Sequence, residues 1–171
     1  MARITEKKIR ALFTRNFIFG VEDSLVSTVG LLAGVVAADV PRQTILLTGG
    51  ILIAVEALSM GVGSLLSESF AEEYVEHSTG TERRSVTGAA IMFASYALAG
   101  FIPLFPYVLL ERNTAFFASI AASCLALFLL GFLGARYFGS RGYRTGLRML
   151  LLGGIAIGVG VLVGRVLHLG L

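Results

Sequence analysis

Five runs long and apolar enough to cross a bilayer constrain this chain of 171 residues more than anything else in it: Phe17–Ala38, Gln43–Ser67, Val86–Leu110, Thr114–Phe138 and Gly146–Leu167. A hydrocarbon core about 30 Å thick is crossed by about 20 apolar residues in a helix. Short polar or proline-containing turns separate the runs: "DVPRQT", "SFAEEYVEHSTGTERRS", "ERN" and "GSRGYR". Too little is left over for a soluble domain. The expected fold class is therefore an all-α integral membrane protein, a single domain over residues 1–171 with five transmembrane helices. Composition agrees, because only 15% of the residues are charged, against about a quarter in soluble domains. The odd helix count argues against two simple inverted halves.

The first run has a basic start and a small-residue end, as a secretory signal does. Its apolar core is longer than the roughly 7–15 residues of a signal and contains two acids, so a retained helix is expected. Lys and Arg are divided unevenly: eleven fall in residues 1–16 and in the second and fourth loops, and three (Arg42, Arg112, Arg165) fall on the other side. The positive-inside rule then places the N-terminus in the cytosol and the C-terminus outside. Residues 1–16 pattern as an amphipathic helix, with Ile9, Leu12 and Phe13 on one face, suited to an anionic leaflet. A plain basic flank would show the same pattern. Residues 68–84 form a short acidic loop on the cytosolic side.

Ionisable groups within a spanning helix are costly and usually face a bundle interior or water. Glu22, Asp23 and Glu56 are such groups. Asp23 lies about 9 Å below the cytosolic boundary and Met60, on the returning helix, about 10 Å. Glu56 is one turn deeper than Met60 on the same helix face, so Asp23, Met60 and Glu56 can form a ladder inward. A carboxylate with a thioether suits a divalent transition metal better than Mg²⁺ or Ca²⁺. The competing readings are a packed methionine and buried, hydrogen-bonded acids. Glu22 points about 100° away from Asp23, toward an expected basic partner near the interface, and receives no role.

If the second helix continues outward, Glu68, Glu72 and Glu76 share one face, and Glu73 and His77 make a second i, i+4 pair. That spacing lets two side chains hold one ion or gather cations at a mouth, and it equally describes a solvated acidic turn. Small-residue pairs (Ser59 with Gly63, Gly154 with Gly158, Gly160 with Gly164) permit close helix contact. Pro103 and Pro106 are expected to bend the outer end of the third helix. His168 looks incidental. The basic residues are scattered, without the aromatic-interleaved surface of a nucleic-acid binder. The single cysteine, Cys124, excludes a disulfide framework and a cysteine metal knuckle. No catalytic signature is present, so no enzyme is expected.

"FGVEDSLVSTVGLLAGV", "EALSMGVGS" and "GFIPLFPYVLL" together resemble the first-, second- and third-helix signatures of the vacuolar iron transporter family, here in a short bacterial or archaeal form. The resemblance spans nearly the whole chain. It implies a homodimer that moves Fe²⁺ out of the cytosol by proton antiport, with Mn²⁺, Co²⁺, Ni²⁺ and Zn²⁺ as related substrates and no permanent cofactor. It also implies an ion path lined by the first two helices at the dimer interface. Asp23 and Met60 match the family's intramembrane metal positions; by the residue reading, Asp23 and Glu56 are the candidate proton carriers. Two features depart from the family: Ser64 stands where a Glu is common, and the long cytosolic insert is cut to Glu68–His77. A prokaryotic plasma membrane is the expected location. Two other functions fit the residues alone: a non-transporting membrane sensor or interaction subunit, and a proton-coupled exporter of small organic cations.

Overall fold

The computed structural model describes residues 2–76, 82–137, 139 and 142–170. They form α1 (Ala2–Ala37), α2 (Arg42–Glu76), α3 (Glu82–Leu104), the single turn α4 (Pro106–Leu109), α5 (Arg112–Tyr137) and α6 (Gly142–Gly170). Five of these helices are long and apolar enough to cross a membrane: Ile9–Ala37, Arg42–Ala71, Arg84–Leu104, Arg112–Tyr137 and Gly142–Gly170. The protein is a multi-pass, all-helical membrane protein.

The helices run longer than the apolar runs that announce them. Residues 2–16 continue the axis of the first span without a break, because no Gly or Pro interrupts them before Gly20 and Ala, Leu, Lys and Arg favour helix. Likewise α2 continues to Glu76. At about 1.5 Å per residue both helices project well past a hydrocarbon core.

The α1–α2 turn is set by two residues. Asp39 adopts φ 60°, the left-handed conformation that a short polar side chain tolerates, and its amide bonds back to the Val36 carbonyl at 3.0 Å. Pro41 then starts α2, its carbonyl accepting from the Thr44 amide at 3.0 Å. The third run breaks where its prolines predict: α3 ends at Leu104 and α4 begins at Pro106. The buried Ser119 of α5 donates to the Pro103 carbonyl at 2.7 Å beside that break.

α1 is the central helix, in contact with α2, α3, α5 and α6. Against α6 it runs parallel and very close. A Cβ on Gly34 would lie 2.6 Å from the Gly160 carbonyl oxygen, and one on Gly164 would run into the Gly34 carbonyl. Gly160 and Gly164 are thus a packed pair, whereas Gly154 and Gly158, equally spaced in sequence, face open space. Two apolar clusters fill the interior: Leu25, Ala99 and Leu127 in the middle, and Leu32, Ile45, Ile53, Leu104, Tyr107 and Ala115 toward the α1–α2 turn. The two faces of the bundle are called below the Arg15 end and the Arg42 end.

Candidate metal site

The register of α1 against α2 is fixed near the Arg15 end, where the buried Asn16 side-chain amide donates to the Ser64 hydroxyl at 2.9 Å. Counting along antiparallel helices from that pair sets Gly20 opposite Met60 and Asp23 opposite Glu56 and Ala57. Met60 therefore lies about one turn, roughly 5 Å, nearer the Arg15 end than the two acids.

Asp23 and Glu56 are each half-buried and lie opposite one another in this register. Tyr96 of α3 meets α1 within about one turn of Asp23. This tyrosine is fully buried; its hydroxyl hydrogen-bonds the Ser27 hydroxyl at 2.7 Å, and its carbonyl accepts from Ser24 at 2.7 Å. One polar spot thus gathers residues of α1, α2 and α3 in the apolar middle of the bundle. Sequence reasoning missed Tyr96. Its signal was a tyrosine at the centre of an apolar run, where tyrosines more often mark the membrane interfaces.

Glu22 sits beside this spot and, among the described residues, has no ion-pair partner. The basic partner expected for it is not found there.

Toward the Arg15 end opens a cavity of about 630 Å³ lined by Arg15, Asn16 and Phe19 of α1, Ser59, Met60, Gly63, Ser64 and Ser67 of α2, and Met92 of α3. Ser59 and Gly63 line this space rather than a helix contact, and a Cβ on Gly63 would meet nothing. Met92 is the second residue sequence reading passed over, since a methionine in an apolar run carries no signal of its own.

The acidic extension divides. Glu68 is buried and pairs with Arg15 at 3.1 Å, which commits it to the α1–α2 joint. Glu73 is exposed. Glu72 and Glu76 belong to α2, but their side chains, like the whole of His77, lie outside the described residues. Among the described residues, no three of His, Cys, Asp and Glu gather closely enough to hold an ion. One chain therefore offers two carboxylates and a thioether in sequence along a path.

Comparison with known proteins gives the family. Arabidopsis thaliana vacuolar iron transporter 1 is 24% identical over 213 residues, covering 89% of this chain and 85% of the relative. That alignment is longer than the chain itself, so the relative carries insertions that this chain lacks. Vacuolar iron transporter homolog 1 of Oryza sativa subsp. japonica is 32% identical over 167 residues, covering 88% of this chain and 72% of the relative. Vacuolar iron transporter homolog 3 of Arabidopsis thaliana is 30% identical over 161 residues. These are plant proteins named as vacuolar, so neither a prokaryotic plasma membrane nor a bacterial or archaeal type draws support from them. The VIT family model matches residues 14–88 and 81–165, two stretches that overlap at the start of α3 and together reach into all five spans. The chain belongs to the VIT family.

Proposed function

We propose that the protein carries divalent transition-metal ions, Fe²⁺ foremost, across its membrane from the Arg15 end to the Arg42 end, in exchange for protons and as a homodimer. The family consists of transporters, and the chain is not an enzyme. One observation carries the reading: Asp23 and Glu56 share a half-buried polar spot within an apolar bundle. Neighbouring carboxylates there need a counter-charge. A metal ion or protons supply it in turn, which is the elementary step of an antiporter.

Direction rests on the Lys/Arg count, which assigns the Arg15 end to the cytosol. An ion entering the cavity meets the Met60 thioether first and the two acids one turn deeper. The homodimer reading is supported by α2, which carries Glu56 and Met60 on the same helix as Val55, Leu58 and Val62 (58%, 59% and 53% exposed), a face that a second copy can cover as well as lipid can. A second α2 related by a two-fold axis would cover this face and double the ligand set around one path. Glu72, Glu73, Glu76 and His77 gather cations at the mouth.

Flux into proteoliposomes tests the proposal, run with Fe²⁺, Mn²⁺, Co²⁺, Ni²⁺ and Zn²⁺ with and without a pH gradient. Fe²⁺ flux that grows with the gradient is expected. Absence of flux for all five metals would leave a sensor or interaction subunit, and flux of organic cations alone would indicate the other exporter.

A further inference from the structure

The cavity at the Arg15 end has a chemistry of its own. Of the three methionines within the described residues, Met60 and Met92 line it, while Met149 packs against the cluster of Leu25, Ala99 and Leu127. Met60 belongs to α2 and Met92 to α3. A Cβ on Gly61, next to Met60, would lie 3.1 Å from the Phe93 Cβ, next to Met92, so the α2–α3 contact sets the two residues at one level on adjacent helices that line the same cavity. Gly20 lets α3 come this close to α1, since a Cβ there would sit 3.3 Å from the Met92 sulfur and 3.0 Å from the Met92 carbonyl oxygen.

The remaining donors in the cavity are neutral: the hydroxyls of Ser59, Ser64 and Ser67 and the Asn16 amide. Its one charged lining residue is a cation, Arg15, drawn aside by Glu68 at 3.1 Å. A hard divalent ion finds no carboxylate in this lining, the two acids lying one turn deeper, and the charge of Arg15 is balanced by Glu68. Thioether sulfurs favour soft ions such as Cu⁺ over hard ones.

We propose that the Met60–Met92 cavity is a binding site for a soft monovalent cation, Cu⁺ with Ag⁺ as its redox-stable probe, which blocks the metal path by occupying it. Binding stands on the cavity alone; only the block rests on the transport reading. Both methionines act as neutral two-electron donors, so no proton or electron leaves the protein.

Titration calorimetry with Ag⁺ on the purified full chain, in a Cys124→Ala background that removes the competing thiol, reads the binding. Met60→Leu and Met92→Leu should each weaken Ag⁺ binding at least tenfold, and Met149→Leu should not. Leucine keeps nearly the methionine volume. If either cavity variant fails to fold, the parent protein still decides through its ¹³C-methyl methionine NMR signals: Met60 and Met92 should move on adding Ag⁺ while Met149 stays. Ag⁺ affinity unchanged in both variants, or methyl signals that do not move, would overturn the site. In proteoliposomes Ag⁺ should inhibit flux of a carried metal that it does not oxidise, Mn²⁺ or Zn²⁺. A protein that binds Ag⁺ through Met60 and Met92 but moves no metal would keep this site and remove the transport reading.

Discussion

The same two helices, α1 and α2, meet in opposite ways at the two ends of the bundle. At the Arg15 end they part around a cavity of about 630 Å³, bridged by the Asn16–Ser64 hydrogen bond and the Arg15–Glu68 pair. At the Arg42 end the short 38–41 turn joins them, and side-chain bonds tie that turn and the start of α2 to α4 and α5. Arg42 donates to the carbonyls of Tyr107, at 2.6 Å, and Val108. Arg112 pairs with Asp39 and reaches the Val40 carbonyl at 3.4 Å. Beneath these bonds lies the dry cluster of Leu32, Ile45, Ile53, Leu104 and Tyr107. In the proposed transport cycle this arrangement is the state open at the Arg15 end, one of the two that alternating access requires. The difference also names the parts that must let go: guanidinium bonds to backbone carbonyls, rather than an apolar plug alone.

The largest expected effect belongs to the residue between the two ends. Asp23→Ala removes one of the paired carboxylates and should lower Fe²⁺ flux at least a hundredfold, with size-exclusion behaviour retained. Met60→Leu, which keeps volume and loses sulfur, should lower it about tenfold. If Met60→Leu transports like the parent, Met60 is packing only. Proton coupling separates the two neighbouring acids: Glu56→Gln should weaken the pH-gradient dependence of flux more than Glu22→Gln does. Equal effects would remove Glu56 from the coupling.

The closed end is tested by untying it. Arg42→Ala removes two charge-assisted bonds, each worth about 1.5–3 kcal/mol where shielded and less at this exposed arginine, so the cluster below should open more often. In the Cys124→Ala background, an Ile45→Cys probe, buried in the parent chain, should then react several-fold faster with a polar thiol reagent. An unchanged rate would mean that the apolar cluster closes this end unaided.

How much of this was legible in the sequence follows from the range of each interaction. Five spans could be read because the bilayer demands long apolar runs, and the α3 break because Pro103 and Pro106 act locally. The apolar runs begin at Phe17 and end at Ser67 because apolarity marks the membrane, whereas α1 starts at Ala2 and α2 continues to Glu76. Asp23, Glu56 and Met60 stood out as residues foreign to a spanning helix. Tyr96 and Met92 did not, since their roles arise from α3 lying against α1 and α2. The same limit applies to the small-residue pairs: Gly160–Gly164 and Gly154–Gly158 are alike in spacing, and only the placement of Gly30 and Gly34 on α1 distinguishes the packed pair from the open one.

The smallest expected effect lies at the open end and decides what Glu68 is for. Spacing alone grouped it with Glu72 and Glu76 as a ligand, yet its side chain is buried and its carboxylate faces Arg15 at 3.1 Å. Arg15 is 67% exposed, so solvent screens the pair and it contributes only about 0.2–1 kcal/mol. Glu68→Gln preserves shape and one acceptor oxygen for Arg15, losing the charge alone. Thermal unfolding should therefore fall slightly, by an amount that shrinks as salt is raised, while Fe²⁺ flux stays within about twofold of the parent. Glu73→Gln, on the exposed side of α2, should do the reverse: stability unchanged, and flux reduced most at low Fe²⁺, where gathering cations at the mouth matters. A Glu68→Gln variant with full stability and lost flux would make Glu68 a ligand. The mouth would then hold an ion at the α1–α2 joint itself.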